Sequence, residues 1–347
     1  MRSRLLLFLS LFLLLPVAAS QAQGAPASAA AAPPNQIALF VQATDKAGVP
    51  VRGLTQQDFA ITDNKHAENI TAFLAVDARA AADSVEVVFV VDGVNSNLTT
   101  LAFDRDQFRK FLMHEGGDLS VPTTFSVVTD AGATIPQPPT FDGKALIASY
   151  DKSAPGLRQE RNGLYQAEDR LSWSMKAVAT LAAYAGQRPG RKLFVWLSPG
   201  WPLLTGPRLQ YSAAQHQQIF NEVVAQSSAL LDAGITMYSI DPLGTSDAAS
   251  IRTNYYKAFL KGVKSPSEAV PANLALQVMS IQSGGRTVNA SNDVVKEISD
   301  CAADARNYYV LSFVPPPGKA GEYHELQVKV NKPDVQVRTR TGYYAQP

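Results

Sequence analysis

Val85-Glu86-Val87-Val88-Phe89-Val90-Val91-Asp92 decides how the rest of the chain is read. Five of its eight residues are valine, a composition suited to a strand buried on both faces of a parallel sheet. Comparable apolar runs occupy residues 124–129, 193–198, 235–240 and 308–314. Between them the apolar residues shift to helical spacing: Phe108, Phe111 and Leu112, then Met175, Val178, Ala179 and Ala182, then Ile219, Phe220, Val223, Val224, Leu230 and Leu231. Strands alternating with amphipathic helices predict an α/β domain over residues 84–314, a doubly wound and mostly parallel sheet. In such sheets ligands bind beyond the carboxyl ends of the strands, which directs attention to Asp92 and to the segments after the other runs.

The flanks read differently. Ile37, Leu39, Val41 and Ala43, and later Leu326, Val328 and Val330, alternate with other residues as in half-buried strands. Short isolated hairpins are marginal in water, so residues 36–83 and 315–347 are expected to join in one small β-sandwich-like module. At the start, Met1-Arg2-Ser3-Arg4, an apolar run over residues 5–15 and the Ser20-x-Ala22 motif predict a secretory signal peptide over residues 1–22. The run is too short to span a bilayer, and nothing later resembles a membrane span. Residues 23–35 are dominated by Ala and Pro and read as a tether. The expected location is the periplasm, the cell surface or the medium.

The net charge of +1 gives no electrostatic argument for nucleic acid as a partner. The single cysteine, Cys301, lies on a helical stripe with Val294, Ile298 and Ala302 and reads as a buried structural thiol. The four histidines show no metal-ligand spacing. Ser198-Pro199-Gly200 lacks the Gly-x-Ser-x-Gly pattern of a nucleophile elbow. Arg338 and Arg340, two apart on a strand, read as a solvated face, with contact to an acidic partner as the alternative.

Gly48-Val49-Pro50-Val51, Leu54-Thr55-x-x-Asp58-Phe59 and Ile70-x-x-Phe73 resemble the first module of the VWFA-related domain family of secreted bacterial proteins. Residues 87–92 are similar to the first strand and metal-site aspartate of von Willebrand factor A domains, and Ala233-Gly234-Ile235 through Asp241 to that fold's helix-to-strand return. Tyr308-Tyr309-Val310-Leu311-x-Phe313 and Val337-Arg338-x-Arg340-x-Gly342-Tyr343 resemble the remaining pattern. The resemblance implies a Rossmann-like von Willebrand fold with a metal-ion-dependent adhesion site in which carboxylates and hydroxyls hold Mg²⁺ or Ca²⁺. Here Asp92 and Ser96 match that site, while Val94 stands where a serine is usual and Ser198 where an aspartate is usual. One formal charge attracts a divalent ion weakly, so metal dependence is expected to be weak or absent, with Asp92 and Ser96 as its ligands.

Together these readings predict an exported, non-enzymatic, adhesion-type protein that binds another protein through the loops carrying Asp92, Asn95, Ser96, Asp130, Ser198, Trp201 and Asp241. Two connections, Asp130 to about Arg170 and Pro242 to about Pro271, are expected to be long loops beside that site. The alternatives are a metal-assisted hydrolase on the same scaffold and a periplasmic small-ligand receptor.

Overall fold

The structure, a computed structural model, describes residues 35–77, 85–153, 164–206, 209–244, 254–289 and 291–346. The expected signal peptide and all but the last residue of the tether lie outside the described residues.

Strand β5 (Val85–Asp92) is the centre of a seven-stranded sheet and is buried throughout. It pairs in parallel with β6 (Asp118–Thr129) on one side and β9 (Arg191–Leu197) on the other. Beyond β9 lie β10 (Ile235–Ile240) and β11 (Thr287–Val288), both parallel. Beyond β6 the direction reverses, because β7 (Gly132–Ala133) and β8 (Thr140–Asp142) pair with it antiparallel. The apolar run of β5 from Val87 to Val91 has a simple cause in the two-residue period of a strand. Val87, Phe89 and Val91 join a core with Phe108 and Leu112 of α1 (Leu98–Leu112) and with Ile298 of α6 (Val294–Ala303). Val88 and Val90 join a second core with Val178 and Leu181 of α3 (Leu164–Gly186) and Leu230 of α4 (Ala213–Asp232). The remaining α-helices among the described residues are α2 (Gly143–Lys152) and α5 (Leu276–Gln282).

The other eight strands form two antiparallel sheets. One runs in the order β14 (Gln336–Arg338), β1 (Ile37–Thr44), β12 (Tyr308–Phe313), β4 (Ala72–Val76). The other runs β15 (Gly342–Tyr344), β13 (Tyr323–Val330), β2 (Phe59–Asp63), β3 (His66–Glu68). Leu39, Val41, Phe59, Ile61, Leu311, Phe313, Leu326 and Val328 share a third core drawn from both sheets.

The expected doubly wound, mostly parallel architecture is thereby corrected. Most strands lie in antiparallel sheets and the largest sheet is mixed. The run at residues 308–314, read as a strand of the parallel layer, instead sits between β1 and β4. It is apolar on both faces because Tyr308 joins the core of α1 and α6 while Tyr309, Leu311 and Phe313 join the core of the antiparallel sheets. Burial on two faces writes the same composition whichever way the neighbours run.

A polar network crosses from the mixed sheet to the antiparallel ones. Asp304 accepts from Tyr238 Oη at 3.0 Å and pairs with Arg338, whose Nη1 donates to the Gly284 carbonyl at 2.7 Å. Arg191, 1% exposed, donates to the Asp304 carbonyl at 2.9 Å and lies 4.6 Å from the Tyr308 ring centre. Arg340 is buried, and Arg338 is committed to this network. Neither forms the solvated face expected for them: Arg338, at the end of β14, bonds Tyr238 of β10, and Arg340, in the link that follows that strand, bonds Ser227 of α4. Cys301 is fully buried, which pushes its thiol up to about 12 and leaves it uncharged at neutral pH.

Candidate functional site

The chain turns sharply where β5 ends. Gly93 donates to the Val128 carbonyl at 2.8 Å, and a Cβ there would stand 2.8 Å from that same oxygen, so only glycine lets the turn form so close to β6. The turn folds Asp92 back among its own neighbours. Its Oδ1 accepts from the backbone amides of Val94 and Asn95, both at 3.0 Å. Its Oδ2 accepts from Asn95 Nδ2 at 2.9 Å, Ser198 Oγ at 2.9 Å, and the indole N–H groups of Trp196 and Trp201 at 3.1 Å each. The two indoles meet edge to face at 5.1 Å. Asp92 is 0% exposed. A buried carboxylate is tolerable only when hydrogen bonds replace its hydration, and here neutral donors do so on both oxygens.

This arrangement bears on the expected Mg²⁺ or Ca²⁺ site. Both Asp92 oxygens already serve several protein donors, and Ser198 donates to Asp92 where a metal site would want a further anion. No group of three or more His, Cys, Asp or Glu among the described residues is placed to hold a metal. Asp104, buried on α1 with no hydrogen bond to either carboxylate oxygen, adds no charge at neutral pH. Burial, then the Asp92 and Asp241 carboxylates, push it up to about 8. The residues therefore do not fit a divalent ion held by Asp92 and Ser96.

Asp104 carries a linkage consequence. Its folded pKa lies above the ordinary 3.8, so between those two values the unfolded chain ionises while the folded one stays neutral, and stability falls as pH rises. An Asp104→Asn variant titrates in neither state. Its stability relative to the natural protein, from urea unfolding, should improve steadily between about pH 4 and pH 8. A difference that stays flat over that window would contradict the assignment.

Above Asp92 the ends of β5, β9 and β10 open into a cleft of about 540 Å³. One wall is apolar: Pro199, Trp201, Pro202, Leu203 and Leu243. Asn95, Asn97, Thr100 and Arg170 form the polar wall. The Trp201 loop is held from inside, by its indole on Asp92 and by the Gly200 amide, which donates to Ser198 Oγ at 3.1 Å. Gly200 has φ +105°, and a Cβ there would approach Gln277 Nε2 to 2.5 Å. Asn97, also in the lining, caps α1, accepting from the Thr100 amide at 2.8 Å.

Of the seven residues expected at the site, Asn95 and Trp201 line this cleft. Asp92 and Ser198 hold those two from the interior. Ser96 and Asp241 are buried, and Asp241 Oδ1 accepts from the Leu243 amide at 2.9 Å. Asp130 is exposed in the tight turn from β6 to β7 and does not line the cleft. The segment from Asp130 to Arg170 is not the long loop expected, since β7, β8, α2 and the start of α3 occupy it. The second connection also carries structure, with short helical turns at residues 256–259 and 266–268. Arg170, Thr100 and Leu243 are cleft residues that the sequence reading did not select. Arg170 lies four residues before Ser174 on the buried stripe Leu171, Ser174, Met175 and Val178 of α3, and that i, i+4 relation was a usable signal.

No family model matches this chain, and no curated protein does. Among solved structures it is similar to the PilB minor pilin of Streptococcus sanguinis, at 11% identity over 70% of this chain and 63% of that one, with a TM-score of 0.37. It is also similar to the pilus adhesin SpaC of Lactobacillus rhamnosus GG, at 8% identity over 88% and 48%, TM-score 0.36. A third is the pilus adhesin RrgA of Streptococcus pneumoniae, at 11% identity over 54% and 29%, TM-score 0.22. The chain spans less than two thirds of the length of each. Scores this low carry neither fold nor function across. The resemblance to the VWFA-related domain family is not upheld: no family model supports it, and β12 and the antiparallel edge strands β7 and β8 depart from the architecture it implied.

Proposed function

We propose that this is an exported, non-enzymatic, adhesion-type protein that recognises another protein through the cleft at the carboxyl ends of β5, β9 and β10. The observation that carries the reading is the construction of that cleft. Its lining combines apolar and polar side chains, and Trp201 is fixed by a buried carboxylate. Rigid aromatic and proline-rich walls lose little entropy when they bind. Deep concave sites with a few placed polar groups are where recognition concentrates. Asn95 and Trp201 make contact in this account, while Asp92 and Ser198 position them. Export rests on the N-terminal sequence pattern. No described helix is long and apolar enough to cross a membrane.

A photo-crosslinking amino acid at Leu243, on the cleft and 38% exposed, should capture a discrete protein partner from a cell-surface extract. The same probe at Val49, 57% exposed in the turn after β1, should not. Equal capture from both positions would remove the cleft from the account. Turnover of phosphate-ester, carboxyl-ester or peptide substrates in the presence of divalent ions would replace binding with catalysis.

A further inference from the structure

Two polar side chains that line the cleft have hydrogen-bonding capacity that the described residues do not use. Asn95, 9% exposed, spends its Nδ2 on Asp92 and on Ser174 Oγ, which fixes the orientation of the amide. Its Oδ1 is buried without a hydrogen-bond partner among the described residues. Arg170 lines the same cleft, and among the described residues its Nε has no hydrogen-bond partner. The two are coupled. Ser174 Oγ, which accepts from Asn95, donates to the Arg170 carbonyl at 2.9 Å, so Asn95 and this turn of α3 are held in register.

A guanidinium asks for a carboxylate, which it binds through paired N–H groups. An amide oxygen asks for an N–H donor. Trp201, Leu203 and Leu243 give the same cleft an apolar lining. One common chemical unit carries a carboxylate, an adjacent amide N–H and an apolar side chain on neighbouring atoms: the last residue of a polypeptide. We propose that the cleft captures the C-terminal residue of a partner protein, its carboxylate on Arg170, its amide N–H on Asn95 Oδ1 and an apolar side chain against Trp201. This rests on the cleft being the binding site, and it names the part of the partner that enters. An aspartate or glutamate in mid-chain offers the carboxylate without the same spacing to an N–H.

The test uses the full mature chain and three blocked peptides: N-acetyl-Ala-Leu with a free carboxylate, the same peptide as its C-terminal amide, and N-acetyl-Asp amide. Binding is followed by calorimetry and tryptophan fluorescence. The free acid should bind, and the amide should bind about 10–100-fold more weakly, the worth of a charge-assisted hydrogen bond. Arg170→Ala should erase the difference between acid and amide, and Arg170→Lys should restore part of it, with circular dichroism confirming that both variants fold. Equal binding of acid and amide, unchanged binding by Arg170→Ala, or no binding of any peptide would overturn the proposal. Preference for the aspartyl peptide would overturn the C-terminal assignment in favour of a side-chain carboxylate. Capture of a partner at Leu243 with no peptide binding would leave the cleft as the site and remove only this inference, whereas failure of both would remove both.

Discussion

Asp92→Asn is expected to cost about 3–5 kcal/mol of folding stability, read by urea unfolding. The substitution keeps size and shape, so the cost does not come from a cavity. It comes from donors left facing a donor. Oδ1 of Asp92 accepts from two backbone amides, and Oδ2 accepts from two indoles, a hydroxyl and an amide group. Either orientation of an asparagine amide turns its NH₂ toward one of these sets. Each buried donor that loses its acceptor costs about 1–3 kcal/mol, and the Trp201 loop loses its internal tether as well. A loss below about 1 kcal/mol would mean that Asp92 does not organise this end of the sheet.

The second large effect is expected at Asp304. Its carboxylate pairs with Arg338, accepts from Tyr238 and lies 3.4 Å from Arg286. Removing one partner of a fully buried ion pair costs about 3–5 kcal/mol; here Arg338 is 26% exposed, so Asp304→Ala should destabilise the protein by about 1–3 kcal/mol. Replacing both charges with apolar groups should recover part of the loss. The Asp304→Leu, Arg338→Met double variant is therefore expected to be more stable than Asp304→Ala. A double variant no better than the single one would show that the charges are not coupled. Because Arg338 belongs to β14 and Tyr238 to β10, loss of this network should also loosen the antiparallel sheets from the mixed one.

Much of the strand pattern was legible in the sequence, and the reason is periodicity. Alternation along residues 37–43 and 326–330 marked one-sided strands, and both lie in antiparallel sheets. The apolar run from Val87 to Val91 in β5 marked burial on two faces. The run at Tyr308 carried the same mark, yet its neighbours are antiparallel. Composition records how many faces are covered and not which way the covering strands run. Pairing direction is set by partners far away in the chain, here β1 and β4 with β12, and no local pattern contains it.

Part of the lining of the candidate cleft was legible. Asn95 and Trp201 were selected from the rule that ligands meet α/β sheets at strand ends, and both line the cleft. The role of Asp92 was not legible, because an aspartate after a strand reads the same whether its carboxylate faces solvent, a metal or two indoles. Asp104 left a trace: Leu101, Asp104, Phe108 and Leu112 follow the three- and four-residue spacing of a buried stripe, and a carboxylate on such a stripe signals an unusual environment. Arg170 left a weaker one, since the role proposed for it rests on hydrogen-bonding capacity unused among the described residues. Unused hydrogen-bonding capacity is a property of the folded molecule alone.

Indole N–H exchange, followed by nitrogen-15 NMR on the protein's three tryptophans, bears most directly on the claim that Asp92 builds the cleft from within. The account expects the Trp196 and Trp201 indole protons to be strongly protected in the natural protein and exposed by Asp92→Asn, with no response of either to added Mg²⁺ or Ca²⁺. Rapid exchange of both in the natural protein, or a shift of both as either ion is titrated in, would contradict it.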